Sequence, residues 1–581
     1  MSSNGISKDT NGISEDPAIY SVPQKAKKLF QNGILKNPLI APTLPAEIAS
    51  CAENIHFEGN DKPSIPINWR FAESIASLKG LEAAMINVLL KRKYGLEPQK
   101  VVINTDHAQL FIMSALTWTI DPNGENVTMA SGPKYDKYIR NRDLHDQALG
   151  FHRQSATNIY RTKDGRFFHL HGSMNPEPTL KSLGLPVRKD VKTVEESWKP
   201  FEEKIAQINS EDLQKLESDE WKQAGTICWT IDEYRNSEHG KANAHIGLYD
   251  IKDVPSPNQP ACWWPDSAET SPQRPLAGLK IVDLTRVIAA PAITRGLAEL
   301  GASVMRVTAP HITDFSALHI DLNWGKWESE LDLREEDNRE KLRALIREAD
   351  VVVHGYRPGV LDKYGFSQQC ILDLCKDRER GLIVVRENCY GWQGPWSYRS
   401  GWQQISDANC GVSMEFGRAM GNDEPVTPVF PNSDYCTGVS GVVAILNAIL
   451  RRGSDGGSYS IDIALNYYSQ WLVNSCGTYS PAVWEDVWAR NGKHVFRHHH
   501  NMGYTLPRYI QMLKTNSGSV LFRPEFFEDR KNEALGKSVR TVAPVLRFPD
   551  GPVQLRYNIG TRSNGVDKPY WPQNLMTEIV A

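Results

Sequence analysis

Asp434 is the residue whose type and setting point most directly to chemistry. It stands in a turn just before residues 437–452, an apolar stretch with the spacing of a buried helix. A carboxylate near a helix N-terminus is stabilised as an anion by the free N–H groups there. The same position is typical of an N-cap aspartate, whose role is purely structural. From spacing alone the N-cap is the commoner role, and a nucleophile or base is the alternative.

The elements that would position Asp434 have the pattern of an α/β layer. Residues 281–284 form a short apolar run that ends in a polar turn, as in a buried parallel strand. A helix predicted over residues 292–300 stops at Gly301. Strands are predicted at residues 280–284, 303–308, 351–353 and 382–386. The alternation predicts an open, Rossmann-like, mostly parallel α/β sheet.

The turn after the first predicted strand lacks the glycines of a dinucleotide site. Residues 285–291 read Thr-Arg-Val-Ile-Ala-Ala-Pro. A pyrophosphate cradled by a G-x-G-x-x-G turn is therefore not expected, and the ligand of this sheet should not be bound in the manner of NAD.

Composition limits the functional classes. The 581 residues predict several domains, and a net charge of −3 gives no electrostatic footprint for nucleic acid or an anionic membrane. The sequence has no run of eighteen apolar residues, so no membrane span is expected. It also has no apolar region near the N-terminus, so no secretory signal is expected. The nine cysteines are scattered, which favours reduced thiols and a cytoplasmic location.

Five segments are predicted along the chain. Residues 1–45 begin with a small, polar repeat and are expected to form a disordered tail. Residues 46–254 are helical at first and then contain a hairpin signal, Lys163-Asp164-Gly165 between two strand-like runs. Residues 255–274 are rich in proline and serine and are interpreted as a linker. The α/β layer occupies residues 275–470, and residues 471–581 form a C-terminal segment.

Residues 275–438 carry a resemblance to the class III CoA-transferases, the formyl-CoA transferase type. That family also contains carnitine CoA-transferases and α-methylacyl-CoA racemases. Five landmarks follow in the order of the family: the opening P-L-A-G-L-K-I-V-D-L with Arg286-Val287, Lys326 before E-L-D-L, G-Y-R-P-G-V-L at residues 355–361, Y-G-W-Q-G-P at residues 390–395, and N-S-D-Y-C-T-G at residues 432–438. Together they identify the chain as a member of this family.

The resemblance changes the interpretation of Asp434, because this residue aligns with the family's catalytic aspartate. In the transferases that aspartate attacks an acyl-CoA thioester, forms a mixed anhydride and then carries CoA as an aspartyl-CoA thioester. In the racemases it is a base that moves the proton α to the thioester. CoA transfer to a small carboxylic acid is thus the first functional hypothesis, and isomerisation at the α-carbon of an acyl-CoA is the second.

Trp402 separates these two hypotheses. Racemases of the family have a histidine at the aligned position, where it acts as the second base. An indole cannot take that role, so Trp402 favours the transferases. An ordinary packed aromatic residue is the structural alternative for Trp402.

The resemblance also implies where acyl-CoA binds. It assigns an apolar slot to Val287, Ile288 and Ala289. It assigns Tyr356 and Arg357, on a later turn, to the same CoA site. Arg357, Lys363 and Lys326 are the cations that would bind the CoA phosphates. A solvated surface charge is the alternative for each cation. The family implies no metal and no permanently bound cofactor; coenzyme A enters as a substrate.

Residues 46–254 resemble the second half of a family member, with its helices and smaller α+β domain, and residues 471–581 resemble an incomplete second half. In this chain, residues 46–254 precede the segment that resembles the first half. The family's ordinary dimers are interlocked, so this chain is expected to form a homodimer or, by itself, a pseudo-dimer. Such a rearrangement, together with Asn432-Ser433 in place of the family's glycine before Asp434, supports a third hypothesis, a member that has lost catalysis.

Overall fold

The computed structural model describes residues 16–147 and 149–581 and contains strands that belong to four sheets. In chain order the strands are β1 Ile55–Glu58, β2 Val101–Asn104, β3 Thr119–Ile120, β4 Val127–Thr128, β5 Asn158–Arg161, β6 Phe167–His171, β7 Ala224–Ile227, β8 Asp250–Val254, β9 Lys280–Leu284, β10 Ser303–Thr308, β11 Lys326–Glu330, β12 Val351–His354, β13 Ile383–Asn388, β14 Ser458–Ala464, β15 Phe527–Asn532, β16 Lys537–Val542 and β17 Leu546–Arg547.

The α-helices, in chain order, are α1 Val22–Leu29, α2 Ile48–Ala52, α3 Phe71–Tyr94, α4 Thr105–Phe111, α5 Ser114–Thr117, α6 Gly150–Gln154, α7 Glu177–Ser182, α8 Val194–Ile205, α9 Ser210–Gln214, α10 Ile231–Asn236, α11 Glu238–Asn243, α12 Ala289–Glu299, α13 His319–Leu322, α14 Glu336–Glu348, α15 Gln368–Asp373, α16 Gln403–Asn409, α17 Val412–Ala419, α18 Asn432–Asp455, α19 Leu465–Trp471, α20 Pro481–Arg490, α21 Met502–Asn516 and α22 Gly518–Leu521.

The largest sheet has seven strands in the order β11-β10-β9-β12-β13-β14-β8. Its first six strands are parallel, and β8 pairs antiparallel with β14 at the edge. Numbered by their sequence, the parallel strands lie as 3-2-1-4-5-6, the order of a doubly wound α/β sheet. The four predicted strands all share this sheet, so the predicted fold is confirmed. The order in which successive strands are added to the sheet reverses between β9 and β12. Such sheets bind ligands at this point, beside the carboxyl ends of the strands.

Helix α18 is the central helix and begins earlier than the sequence predicts. The sequence pattern predicts a helix over residues 437–452, whereas the helix starts at Asn432 and therefore includes Asp434 in its first turn. Gly438 allows α12 to pack closely, because a Cβ there would lie 2.6 Å from the Cβ of Ala292. α18 is long and apolar enough to cross a bilayer, but 94 % of its apolar window is buried inside the protein, as expected of a core helix.

Helices α3 and α18 form a pair. Each has 24 residues, and the two pack along one another. Residues 84–92, AMINVLLKR, resemble residues 444–452, AILNAILRR. In this alignment Ser74 stands opposite Asp434. The two central helices thus share their length and a short sequence motif.

The predicted hairpin is present in a small three-stranded sheet of order β5-β6-β7. β5 and β6 pair antiparallel across the Asp164-Gly165 turn, and Gly165 has a φ of +78° that favours glycine. β6 and β7 pack against α16 of the α/β layer. The hairpin therefore lies over the layer that carries Asp434.

The N- and C-terminal segments share two sheets. β17 pairs with β2, and β16 pairs with β3. The C-terminal residues thus complete the part of the chain that precedes the α/β layer.

The predicted disordered tail is too long. Residues 1–15 lie outside the described residues, but residues 22–29 form α1, so the prediction is wrong for that part. Val22, Ala26 and Leu29 are buried, and α1 packs against α3. Half of the eight residues of this helix are lysine or glutamine, so its composition resembles that of a disordered segment although one face is apolar.

Candidate active site

Asp434 is the third residue of α18, and its carboxyl group has no hydrogen-bond or ion-pair partner within residues 16–147 and 149–581. Its neighbours do have partners: the amide of Asn432 donates to the Tyr468 hydroxyl at 2.6 Å, and the Tyr435 hydroxyl donates to Asp321 at 2.9 Å. The residue before the helix is Pro431, and α18 has no side-chain cap. Asp434 is half-buried rather than enclosed. The N-cap role is therefore excluded, and its carboxyl group is left available.

Two further carboxyl groups interact with Asp434, and sequence reasoning missed both. Glu387 lies near the end of β13, and Asp407 lies on α16. Burial raises the pKa of Asp434 well above its usual range, and the charges of Glu387 and Asp407 raise that pKa further. A signal was present for Glu387, since it is a polar residue near the end of a strand that begins Ile-Val-Val.

The two additional acids differ in their surroundings. Burial raises the pKa of Asp407 to about 7, opposed by hydrogen bonds from Gln403 at 2.6 Å and from Ser433 at 3.5 Å. Burial alone raises the pKa of Glu387 to about 8. Only Asp407 therefore has donors that support its anion.

The turn that resemblance assigns to the pantetheine arm lies beside α18. Val287 has a φ of +73°, a strained conformation for a β-branched residue. Ile288 precedes α12, and Ala289 begins it. The Ala289 carbonyl oxygen lies 3.3 Å from where a Cβ of Gly438 would stand, one helical turn beyond Asp434. The structure thus brings this turn and Asp434 to the same region of the carboxyl edge.

Tyr356, Arg357 and Lys363 lie on loops after β12. Tyr356 lines a small apolar pocket together with Leu284, Val307, Leu361 and Tyr364. Arg357 is exposed and donates to the Lys222 carbonyl at 2.9 Å. The exposed Lys363 ammonium lies 4.8 Å from the Tyr364 ring centroid.

Arg286 is a cation that the sequence assignment left out of the site. Its guanidinium lies 5.3 Å from the centroid of the Tyr356 ring. Arg286 and Lys363 therefore each lie beside a tyrosine that lines the apolar pocket, and Arg357 follows one of these tyrosines in the sequence.

Lys326 does not belong to this group, so its assignment to a phosphate is wrong. Its side chain is completely buried, and its ammonium lies 3.0 Å from the Asp283 carboxylate. It also donates to the Pro291 carbonyl at 3.0 Å. Lys326 is an internal ion-pair partner, because its strand begins inside the fold rather than at the ligand edge.

Trp402 is a packed residue at the start of α16. Its ring stacks on His171 of β6, with centroids 5.2 Å apart, and its N–H donates to the Ser173 hydroxyl at 3.1 Å. His171 has no free nitrogen: the backbone N–H of Ser173 donates to Nδ1 at 3.0 Å, so Nε2–H faces the Gln404 side-chain oxygen at 3.3 Å. Neither ring supplies a free base.

Comparison with known proteins agrees with the family resemblance. A model of CoA-transferase family III matches residues 276–506. Acetyl-coenzyme A transferase nodX from Hypoxylon pulicicidum is 52 % identical over 570 residues, which cover 97 % of this chain and 96 % of the relative. An acyl-CoA transferase from Gibberella moniliformis is 29 % identical, over 85 % of this chain and 86 % of the relative. The succinyl-CoA–L-malate CoA-transferase beta subunit of Chloroflexus aurantiacus is 31 % identical, over 39 % of this chain and 57 % of that subunit.

Proposed function

This chain belongs to CoA-transferase family III, and we propose that it moves CoA from an acyl-CoA to a carboxylic acid by covalent catalysis at Asp434. The observation that carries the proposal is the half-buried Asp434 carboxyl group at the carboxyl edge of the sheet, which has no partner in the described part of the chain. Burial and the two neighbouring acids raise the pKa of Asp434. The first N–H groups of α18 lack intrahelical partners and act in the opposite direction, because a helix start stabilises an anion.

The reaction consists of four acyl transfers. The Asp434 carboxylate attacks the thioester carbon, the C–S bond breaks, and CoA leaves as a thiolate. That thiolate attacks the Asp434 carbonyl of the mixed anhydride and releases the first acid as a carboxylate. The acceptor carboxylate then attacks the aspartyl-CoA thioester, and the thiolate released attacks the new acyl carbon. Acyl-CoA forms, and Asp434 is regenerated.

CoA would lie along the carboxyl edge. The turn of Val287 and Ala289 lies beside α18, where a pantetheine arm would reach Asp434. The pocket beside Tyr356 offers an apolar surface for the adenine, and Arg286, Arg357 and Lys363 supply positive charge for the phosphates.

The position of the family's second base disfavours the isomerase alternative. Trp402 occupies the position of that base, and the adjoining His171 is neutral with both nitrogens engaged. The alternative of an inactive member is disfavoured by the free Asp434 carboxyl group, because a purely structural aspartate would be expected to have donors.

The name of the relative that is 52 % identical makes acetyl-CoA the first donor to test. Exchange of labelled acetate into acetyl-CoA needs no knowledge of the natural acceptor. Asp434→Asn should abolish this exchange, whereas Asp337→Asn should not. Asp337 provides the matched control because it is an exposed aspartate in the first turn of α14.

Hydroxylamine with acetyl-CoA should convert Asp434 of the wild type to a hydroxamate, detected by peptide mass spectrometry. An Asp434→Asn variant that exchanges acetate at the wild-type rate would refute the proposal. Solvent deuterium entering the α-carbon without any adduct would instead support the isomerase alternative.

A further inference from the structure

Glu387 lies in the site beside Asp434 and has no assigned role. Arg386 of β13 is the register partner of His354 of the neighbouring parallel strand β12. The residues that follow these two, Glu387 and Gly355, therefore also lie side by side. The other neighbour of Glu387 in the sheet is Ile463. Ile463 faces α18, since its Cδ1 lies 3.0 Å from where a Cβ of Gly441 would stand. Paired residues of a sheet point to the same face, so the Glu387 side chain also faces α18.

Gly355 leaves space above the Glu387 carboxyl group. A Cβ at this exposed glycine would lie 3.3 Å from Oε2 of Glu387 and 3.1 Å from the Cβ of Ala290, near the start of α12. The carboxyl group thus lies just below the crevice, at the switch point between β9 and β12. A substrate beside Asp434 would lie within its reach.

Glu387 is buried without compensation. Only 9 % of its surface is exposed, and it has no hydrogen-bond or ion-pair partner among the residues that the structure describes. A buried polar group without a partner destabilises a protein, so its retention needs another reason. Among the described residues, no group of three acidic, histidine or cysteine side chains is placed to hold a metal ion.

The three neighbouring carboxyl groups cannot all carry charge. Asp434 must be ionised to attack a thioester. Asp407 accepts hydrogen bonds that support its anion, whereas Glu387 accepts none. In the reacting state, in which Asp434 is ionised, Glu387 is therefore the acid that keeps its proton. Its O–H is then a hydrogen-bond donor that no atom of the described residues uses.

We propose that Glu387 is a second catalytic residue: as a neutral acid, it donates a hydrogen bond to the carbonyl oxygen of the acyl group that Asp434 attacks. This inference rests on the proposed transferase function. The carboxyl proton of Glu387 stays on Glu387 throughout the reaction. The carbonyl oxygen gains negative charge as the new C–O bond forms and loses it when the C–S bond breaks, so the donor stabilises the tetrahedral stage.

The charged and titratable groups around Glu387 predict an alkaline limit to activity. Asp434 faces it from α18 and Cys389 from the following loop, and the charge of Asp407 on α16 acts on both of these groups. His354 of β12 is held neutral by burial and by Arg386. Burial raises the pKa of Glu387 to about 8. Glu387 therefore donates below that pH, and acyl transfer should decline as pH rises through it.

The test is acetate exchange into acetyl-CoA from pH 6 to 9.5 in full-length variants. Glu387→Gln keeps a donor that cannot ionise, so it should retain most exchange at pH 7 and lose the alkaline decline. Glu387→Leu has a similar size and no donor, and kcat should fall about 10²- to 10³-fold, as when one oxyanion donor is removed. Circular dichroism checks folding, and Glu387→Gln carries the test if the leucine variant does not fold.

The outcomes separate this inference from the proposed function. No wild-type exchange and no Asp434 hydroxamate would overturn both. A hydroxamate with an unchanged alkaline decline in Glu387→Gln, or with wild-type exchange in Glu387→Leu, would overturn only the role of Glu387.

Discussion

The indole of Trp402 lies flat against the imidazole of His171, with ring planes 3° from parallel. This stack joins the small three-stranded sheet to the helix that carries Asp407. Because burial lowers the pKa of His171 to about 3, the imidazole stays neutral at physiological pH and the contact is one of two uncharged rings.

Trp402→Ala should weaken this contact. We expect a loss of about 2 kcal/mol, less than for a fully buried tryptophan, because Trp402 is half-buried. Trp402→Phe keeps the stack, loses only the bond to Ser173 and should be affected less. Urea unfolding measures both, and an unchanged midpoint for Trp402→Ala would contradict the contact's structural role.

Glu387→Gln should stabilise the protein at neutral pH. The folded state holds the pKa of Glu387 at about 8, above the usual 4.5, so the folded protein binds this proton more tightly than the unfolded chain. The wild type therefore loses stability as pH rises from about 4.5 to 8, by about 3 kcal/mol at pH 7. Glutamine avoids this loss. In thermal unfolding, Glu387→Gln should be no more stable than the wild type at pH 4 and increasingly more stable up to pH 8. An equal gain in stability at every pH would contradict the raised pKa of Glu387.

Lys326→Met should damage stability, because it leaves Asp283 charged and buried. Removing one partner of a buried ion pair costs about 3–5 kcal/mol. Adding Asp283→Asn to Lys326→Met should restore part of this loss. Chemical unfolding of the single and double variants provides the measurement.

Lys363→Ala should have the opposite profile. Lys363 is exposed, so its unfolding midpoint should not change, while KM for acetyl-CoA should rise if it meets a phosphate. A larger KM effect from a folded Lys326→Met than from Lys363→Ala would reverse the assignment of these two cations.

Gly438→Ala should disturb the contact between α12 and α18. The new Cβ would lie 2.6 Å from the Cβ of Ala292, and overpacking of this kind costs about 1–3 kcal/mol. Gly518 is a helical glycine, and none of the residues that the structure describes has an atom within 4 Å of its Cβ position apart from its chain neighbours and its own helix backbone. Gly518→Ala should therefore be neutral or slightly stabilising. Equal midpoints for the two variants would contradict close packing at Gly438.

The sequence predicts the α/β layer well because short apolar strands and alternating helices determine it locally. The hairpin at Gly165 was predictable for the same reason. Lys326 was misassigned because a motif gives the position of a cation but not the side to which it points. Asp407 was missed because its proximity to Asp434 depends on the packing of α16 against α18, which no local pattern encodes. The start of α18 was missed because Asn, Ser and Asp resemble a turn.

In a symmetric dimer one gene specifies both copies of a helix, so every substitution appears twice. α3 and α18 resemble one another within one chain, and each mutates separately. Helix α3 has Ser74 opposite Asp434, and this buried serine lies 2.9 Å from the Tyr468 hydroxyl. α3 can therefore have a purely structural role while α18 keeps the carboxylate. Two identical subunits cannot differ in this way, because both carry the same residue at each position.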